Sequence, residues 1–321
     1  MPLALVSYAI IAPMRPASRV VRYAWASTLL SACIVSAQPP GGQRQPEAIR
    51  QGQQLLRQGK LDEAIAVFKQ ELQNSPDSVA ANNAVGVALD LKGDGDEARK
   101  YFAKAIEAAP SPAAKAQAER AMAMSYAFDG NCKETANYEQ KVFDYYVTVK
   151  DSYQQGEIAD EAARVCIDDG DLDAAYKLYK KGHDAGLLEP DIKPDRKDLW
   201  EFRWEHAQAR LAARRGNKDE AAKHVAAAKA ILDRGANPQQ QMFFPYLTGY
   251  VAFYAGDYRT ALAELAKANQ GDPFIQCLMG QSYEKLGDKE KAMECYRKAA
   301  ATTAHNPPAA YARPFARKKL G

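Results

Sequence analysis

The sequence predicts an all-α solenoid of consecutive helix-turn-helix units, and three observations carry that prediction. Glycine recurs at Gly59, Gly93, Gly130, Gly170, Gly216, Gly256 and Gly287, at intervals of 34, 37, 40, 46, 40 and 31 residues, the period expected of stacked helical repeats. Each glycine is followed by a short polar step and, five or six residues on, by an alanine that starts an amphipathic run. A small residue, Gly52, Gly86, Ala163, Ala209, Gly249 or Gly280, precedes six of these glycines by seven positions.

One unit shows why those residue types recur. Gly86 lies on a helix that a neighbour must approach closely, where a side chain would hold the two backbones apart. Gly93 ends that helix, because glycine enters the left-handed region without a steric penalty. The polar residues after it cap the next helix. Ala98, Phe102 and Ala105 then fall at i, i+4 and i+7 on one face, and Pro110 stops the run.

Gln45–Ser78 repeats the pattern with Gly52, Leu55, Gly59, Ala64, Phe68 and Pro76. Met242–Pro273 does so with Gly249, Ala252, Gly256, Ala261, Leu265, Ala268 and Pro273. The last unit has Gly280, Tyr283, Gly287, Ala292, Tyr296 and Ala299. The middle units are weaker. Thr135, followed by Ala136, stands where Gly130 calls for alanine, while Ala163 with Ala175 and Ala209 with Ala221 keep the small positions around Gly170 and Gly216. The pattern resembles the tetratricopeptide repeat, an antiparallel helix pair of 34 residues, over about residues 45–321. The resemblance implies a right-handed superhelix of about seven repeats over 45–304, whose first helices line a concave face that binds peptides or partner helices.

The first residues follow a different logic. Arg15, Arg19 and Arg22 precede an apolar run from Tyr23 to Val35, too short to span a bilayer comfortably, which ends in Val35, Ser36, Ala37. This reads as an export signal over 1–37, cut after Ala37. Pro13 interrupts an upstream apolar stretch, Leu3–Ala12, which makes Met14 an alternative initiator. Leu30, Ser31, Ala32, Cys33 resembles a bacterial lipoprotein box, in which Cys33 is lipidated and forms the new N-terminus. Both routes export the chain to the periplasm, free or membrane-anchored through Cys33. Residues 38–44 read as a flexible lead.

Removing residues 1–37 takes away three arginines and no acid, so the formal charge of +3 becomes zero. Basic and acidic residues mix on most helices, which argues against a nucleic-acid partner. Cys132, Cys166, Cys277 and Cys295 remain, an even number in an oxidising compartment. The repeat geometry pairs Cys132 with Cys166 across neighbouring turns, and Cys277 with Cys295 inside one hairpin. Four buried free thiols are the alternative.

Arg203, His206, Arg210 and Arg214 recur at spacings of 3, 4 and 4 on one helical face. One unit later Phe243, Tyr246, Tyr250 and Tyr254 occupy the equivalent sites, with Phe253 beside them. By analogy with the resembled family, this basic strip beside an aromatic strip lines the concave face and takes a partner. The plainer reading is that the arginines stack on the tyrosines inside the protein. The carboxylate clamp of chaperone-binding members needs a lysine and asparagine set on the early helices, where this chain has Ile49, Gln53, Asn83 and Ala84.

A long aromatic helix is expected after Gly130, through Tyr138, Phe143, Tyr145, Tyr146 and Tyr153. Gly182–Asp198 is an insertion with Pro190 and Pro194, ahead of Trp200, Phe202 and Trp204; it is either a partner contact or a bridge between differently tilted helices. Residues 305–321 read as a final helix capping the last open apolar face.

There is no phosphate loop, dinucleotide glycine set, zinc-spaced histidine pair or nucleophile elbow. His183, His206, His224 and His305 fall in separate units, and Asp94, Asp171, Asp257 and Asp288 sit where helix caps belong. The sequence therefore points to a non-catalytic protein-interaction scaffold of a bacterial envelope, without cofactor or metal. The alternatives are a small-ligand or glycan-binding envelope protein and a lipid-anchored accessory subunit of an envelope assembly machine.

Overall fold

The computed structural model describes residues 46–321. The export segment, the flexible lead, Met14 and Cys33 lie outside the described residues. Among these residues fifteen α-helices follow one another without a strand. Seven antiparallel pairs are formed by α1 (Glu47–Arg57) with α2 (Leu61–Asn74), α3 (Val79–Lys92) with α4 (Gly95–Glu107), α5 (Pro112–Phe128) with α6 (Cys132–Thr148), α7 (Ser152–Asp169) with α8 (Leu172–Gly186), α9 (Pro194–Arg214) with α10 (Lys218–Asp233), α11 (Phe244–Tyr254) with α12 (Tyr258–Leu265), and α13 (Pro273–Lys285) with α14 (Lys289–Ala300). A 3-10 turn, Pro238–Phe243, leads into α11, and α15 (Pro307–Leu320) follows the last pair. No described helix is long and apolar enough to cross a membrane.

The repeated glycines do two separate jobs. All seven turn glycines have positive φ, between 68° and 101°. At Gly93 that conformation lets the amides of Gly93 and Asp94 both donate to Leu89 O, at 2.9 Å, closing α3. The earlier glycine of four units, Gly52, Gly86, Gly249 and Gly280, instead leaves room for a side chain sixteen residues on. A Cβ at Gly86 would lie 2.6 Å from the Phe102 ring, and one at Gly280 2.6 Å from the Tyr296 ring. Both rings are fully buried, so the glycine sets how closely the two helices pack. The aspartates act as expected at Asp171, Asp257 and Asp288, which accept from the amides of Ala174, Thr260 and Lys291. Asp94 differs, standing at the same N-cap position but making no side-chain cap bond.

The middle of the solenoid packs by other means. Trp200 is fully buried against the bare backbones of Gly156 and Gly186, and its Nε1 donates to Glu189 Oε1 at 2.9 Å. Arg196 pairs with the same carboxylate at 2.9 Å. The 182–198 insertion is thus a bridge that seats Trp200 and starts a longer helix, α9. The aromatic helix expected to run to Tyr153 breaks at Thr148, and Tyr153 belongs to α7.

The last helix does more than cap. It packs on α13 and α14 as expected, and it also reaches α5 and α7. Ala309 and Ala310 are buried with Leu91, Met124, Phe128 and Val165. Arg313 Nε donates to Leu91 O at 2.7 Å, and Arg317 Nη1 to Lys92 O at 2.7 Å. These are free carbonyls of the last turn of α3, so α15 ties the final repeat back to the second.

Candidate functional site

The first helices α7, α9, α11 and α13 meet along the inner surface of the superhelix. Residues ten, six and two positions before each turn glycine stand side by side on three of them: Asp160, Arg164 and Asp168 on α7, His206, Arg210 and Arg214 on α9, and Tyr246, Tyr250 and Tyr254 on α11. The basic and aromatic strips read from the sequence are therefore neighbours in space. They face each other rather than an open groove.

Their contacts show how. The Arg210 guanidinium lies 5.2 Å from the Tyr179 ring and 6.0 Å from the Tyr250 ring, and donates to Tyr179 Oη at 2.8 Å. Arg214 sits 5.1 Å from the Tyr254 ring and donates to its hydroxyl at 3.2 Å. Arg164 lies 4.6 Å from the Phe274 ring and 5.5 Å from that of Tyr246, with its Nε 3.7 Å from Asp168 Oδ2. Arg203 stacks at 5.0 Å over Trp200 and pairs with Glu157.

This corrects the groove expected from the sequence. His206, Arg210, Tyr246 and Tyr250 are buried, Tyr250 completely. Arg203, Arg214, Phe253 and Tyr254 are partly covered. Phe243 is exposed and lies on the 3-10 turn ahead of α11. The stacking that makes the strips compatible also removes them from solvent.

Burial sets the ionisation of the cluster. It holds the His206 imidazole well below its ordinary range, helped by Arg210, Arg164 and Arg203. Burial pushes the Asp168 carboxyl up to about 6, against the pull of Arg164 and Arg210. The Tyr246 phenol rises to about 12. His206 is thus a neutral histidine packed among rings, its own tilted at 32° to that of Tyr246 with centroids 5.5 Å apart.

Of the cysteines, Cys132 at the start of α6 and Cys166 near the end of α7 form a disulfide, with Cα atoms 4.6 Å apart. Cys277 and Cys295, which the hairpin geometry was expected to bring together, are free and buried. Cys277 Sγ instead donates to Ala312 O of α15 at 3.4 Å.

The exposed surface offers a different feature. An open cleft of about 440 Å³ lies between α6 and α8, lined by Phe143, Tyr176, Ala185 and Leu188 and by Lys177, Lys180, Lys181 and Asp184, of which Lys180 and Asp184 pair with each other. Lys181 Nζ sits 3.5 Å from the centre of the Phe143 ring, and burial lowers its pKa. Leu188 in this cleft is 74% exposed, and Val147 and Val149 are exposed at the end of α6. The Ser152 hydroxyl donates to Leu188 O at 3.3 Å, fixing the end of α8 beside the α6–α7 turn.

Tetratricopeptide-repeat family models match residues 49–124 and 275–303. These two stretches carry tetratricopeptide repeats. The stretch between them, 125–274, contains Thr135 at an alanine position and the Trp200 bridge. The apo form of RapI shares the fold, with a TM-score of 0.52, at 10% identity over 85% of this chain and 97% of that one. A tetratricopeptide repeat protein from Parabacteroides merdae aligns with a TM-score of 0.49, at 14% identity over 84% of this chain and 98% of that one. No curated protein sequence matches the chain.

Proposed function

We propose that this protein is a non-catalytic interaction scaffold of a bacterial envelope, and that it docks an acidic, apolar segment of a protein partner in the α6–α8 cleft. The observation that carries the reading is the exposed Leu188 in a cleft where Lys177 and Lys181 are in excess of the Lys180–Asp184 pair, with Val147 and Val149 exposed at the end of α6. Exposed apolar residues gathered at one place mark contact surfaces, and the lysines select a partner of opposite charge. The concave strip is a weaker candidate because its central residues already contact one another. Export is supported by the arginine, apolar and small-residue order of residues 15–37, and by a disulfide, which persists in oxidising compartments. In the Ser125, Asp90, His305 chain Asp90 stands between the other two, so no imidazole reaches this serine hydroxyl as a base.

The test is fluorescence anisotropy with a labelled Glu-Phe-Glu-Leu-Glu-Phe peptide and its lysine-containing counterpart. The acidic peptide is expected to bind with a Kd of roughly 10–100 μM, weakening with salt, and Lys177→Glu/Lys181→Glu to lose it. Equal binding of both peptides, or none up to about 1 mM, removes the cleft reading.

A further inference from the structure

We propose that the inner surface of the superhelix contains a small-anion site between α7, α9 and α11, built from Arg164, Arg210, Tyr246 and Tyr250, which takes a carboxylate- or phosphate-bearing solute. This is independent of the α6–α8 cleft and lies on a different face.

The argument starts from hydrogen-bond accounting. Thirteen buried side-chain polar atoms among the described residues lack a partner within the protein. Eight of them belong to one cluster: Arg164 Nε and Nη2, Arg210 Nη1, His206 Nε2, the hydroxyls of Tyr246 and Tyr250, and both carboxylate oxygens of Asp168. Folded proteins pair nearly all such atoms, and a concentration of orphans at one place calls for a bound group.

The chemistry of the orphans selects an anion. Arg210 is 5% exposed, and its hydrogen-bond partners, Tyr179 Oη and His206 O, are both neutral. It is a buried guanidinium without a carboxylate partner, an arrangement that costs heavily unless charge compensates it. Arg164 has Asp168 at 3.7 Å, longer than a hydrogen bond. The two phenols add O–H donors. Three guanidinium N–H groups and two hydroxyls therefore outnumber the one carboxylate, and guanidinium forks match carboxylate and phosphate oxygens. Access comes from the inner surface, where the Arg164 side chain keeps 18% of its area exposed.

The tests are isothermal titration and thermal unfolding of the exported chain with inorganic phosphate, with acetate, and with sodium chloride at matched ionic strength. Phosphate or acetate, or both, is expected to raise the melting temperature above the chloride control and to give a saturable heat; whichever binds more tightly identifies the anion class. Tyr246→Phe/Tyr250→Phe keeps the rings and removes only the two donors, and is expected to weaken binding by at least tenfold while the protein stays folded. Arg210→Met is expected to abolish binding, with circular dichroism reporting whether the helices persist. Absence of any anion-specific shift in the unaltered protein, or equal binding by the double phenylalanine variant, overturns the site.

Discussion

His305 Nε2 lies 2.8 Å from Asp90 Oδ2, although 215 positions separate the two residues. Asp90 is fully buried at its side chain, and its other oxygen accepts from Ser125 Oγ at 2.8 Å. The His305 ring stacks on Phe128, with centroids 5.2 Å apart. A linear solenoid touches only its sequence neighbours. Here the ends of the repeat array are joined, because the turn before α15 places this histidine on α3 and α5. The aromatic strip expected to be open is packed, with Tyr246 and Tyr250 buried.

The closure depends on Arg313, which donates to Leu91 O, Thr302 O and Ala300 O. Arg313→Ala leaves these carbonyls short of a charged donor, at a cost of about 2–3 kcal/mol, and lowers the melting temperature by roughly 5–10 °C. Hydrogen exchange is expected to quicken in α15 and at the end of α3 while α9 and α10 keep their protection. Uniform quickening throughout would mean that α15 closes nothing specific.

The Cys132–Cys166 bond spans 34 residues and staples one repeat to the next. Cross-linking a loop of that length stabilises by about 3–4 kcal/mol through the unfolded chain. Cys132→Ser/Cys166→Ser should therefore melt well below the parent under non-reducing conditions, and match it once reductant is added. Alkylation followed by mass spectrometry is expected to label Cys277 and Cys295 only after unfolding, since both are buried.

How much of this was legible in the sequence depends on which force decided each feature. Turn glycines and caps obey local backbone rules, so seven helix pairs could be read directly from Gly59 to Gly287. The strip residues on α9 and α11 were also visible, because they recur at fixed distances before a glycine. The same register would have found Asp160, Arg164 and Asp168 on α7, had the positions before Gly170 been compared with those before Gly216. What local rules do not contain is the return of α15 onto α3, since the accepting atoms are main-chain carbonyls of Leu91 and Lys92. Trp200 escaped the repeat pattern for a related reason, because its partners Gly156 and Gly186 lie on different helices.

The pairing of Gly86 with Phe102 is testable as a coupled pair. Gly86→Ala forces a methyl to within 2.6 Å of a fully buried ring, and overpacking of this kind costs about 1–3 kcal/mol. Phe102→Leu leaves a cavity and is destabilising alone. Together the two are expected to cost less than their sum, because the smaller side chain admits the new methyl. Urea unfolding of the four proteins measures this. Strict additivity would show that the glycine serves helix ends rather than helix spacing.

Asp160 makes stability depend on pH in a predictable direction. It lies beside Tyr179, His183, Trp200, Arg203 and Trp204, and burial pushes its carboxyl up to about 7, against Arg203 at 3.9 Å and with Glu157 adding to the rise. Between its unfolded value near 4 and about 7, the folded protein holds the proton more tightly than the unfolded chain does. The folded state therefore loses stability as pH rises through this window, and the penalty is complete above it. Asp160→Asn keeps the shape and removes the titration. The parent is expected to lose more melting temperature than the variant between about pH 5 and pH 8, with the difference concentrated between about pH 5 and 7. Parallel profiles would mean that Arg203 and Arg210 hold the carboxylate ionised throughout.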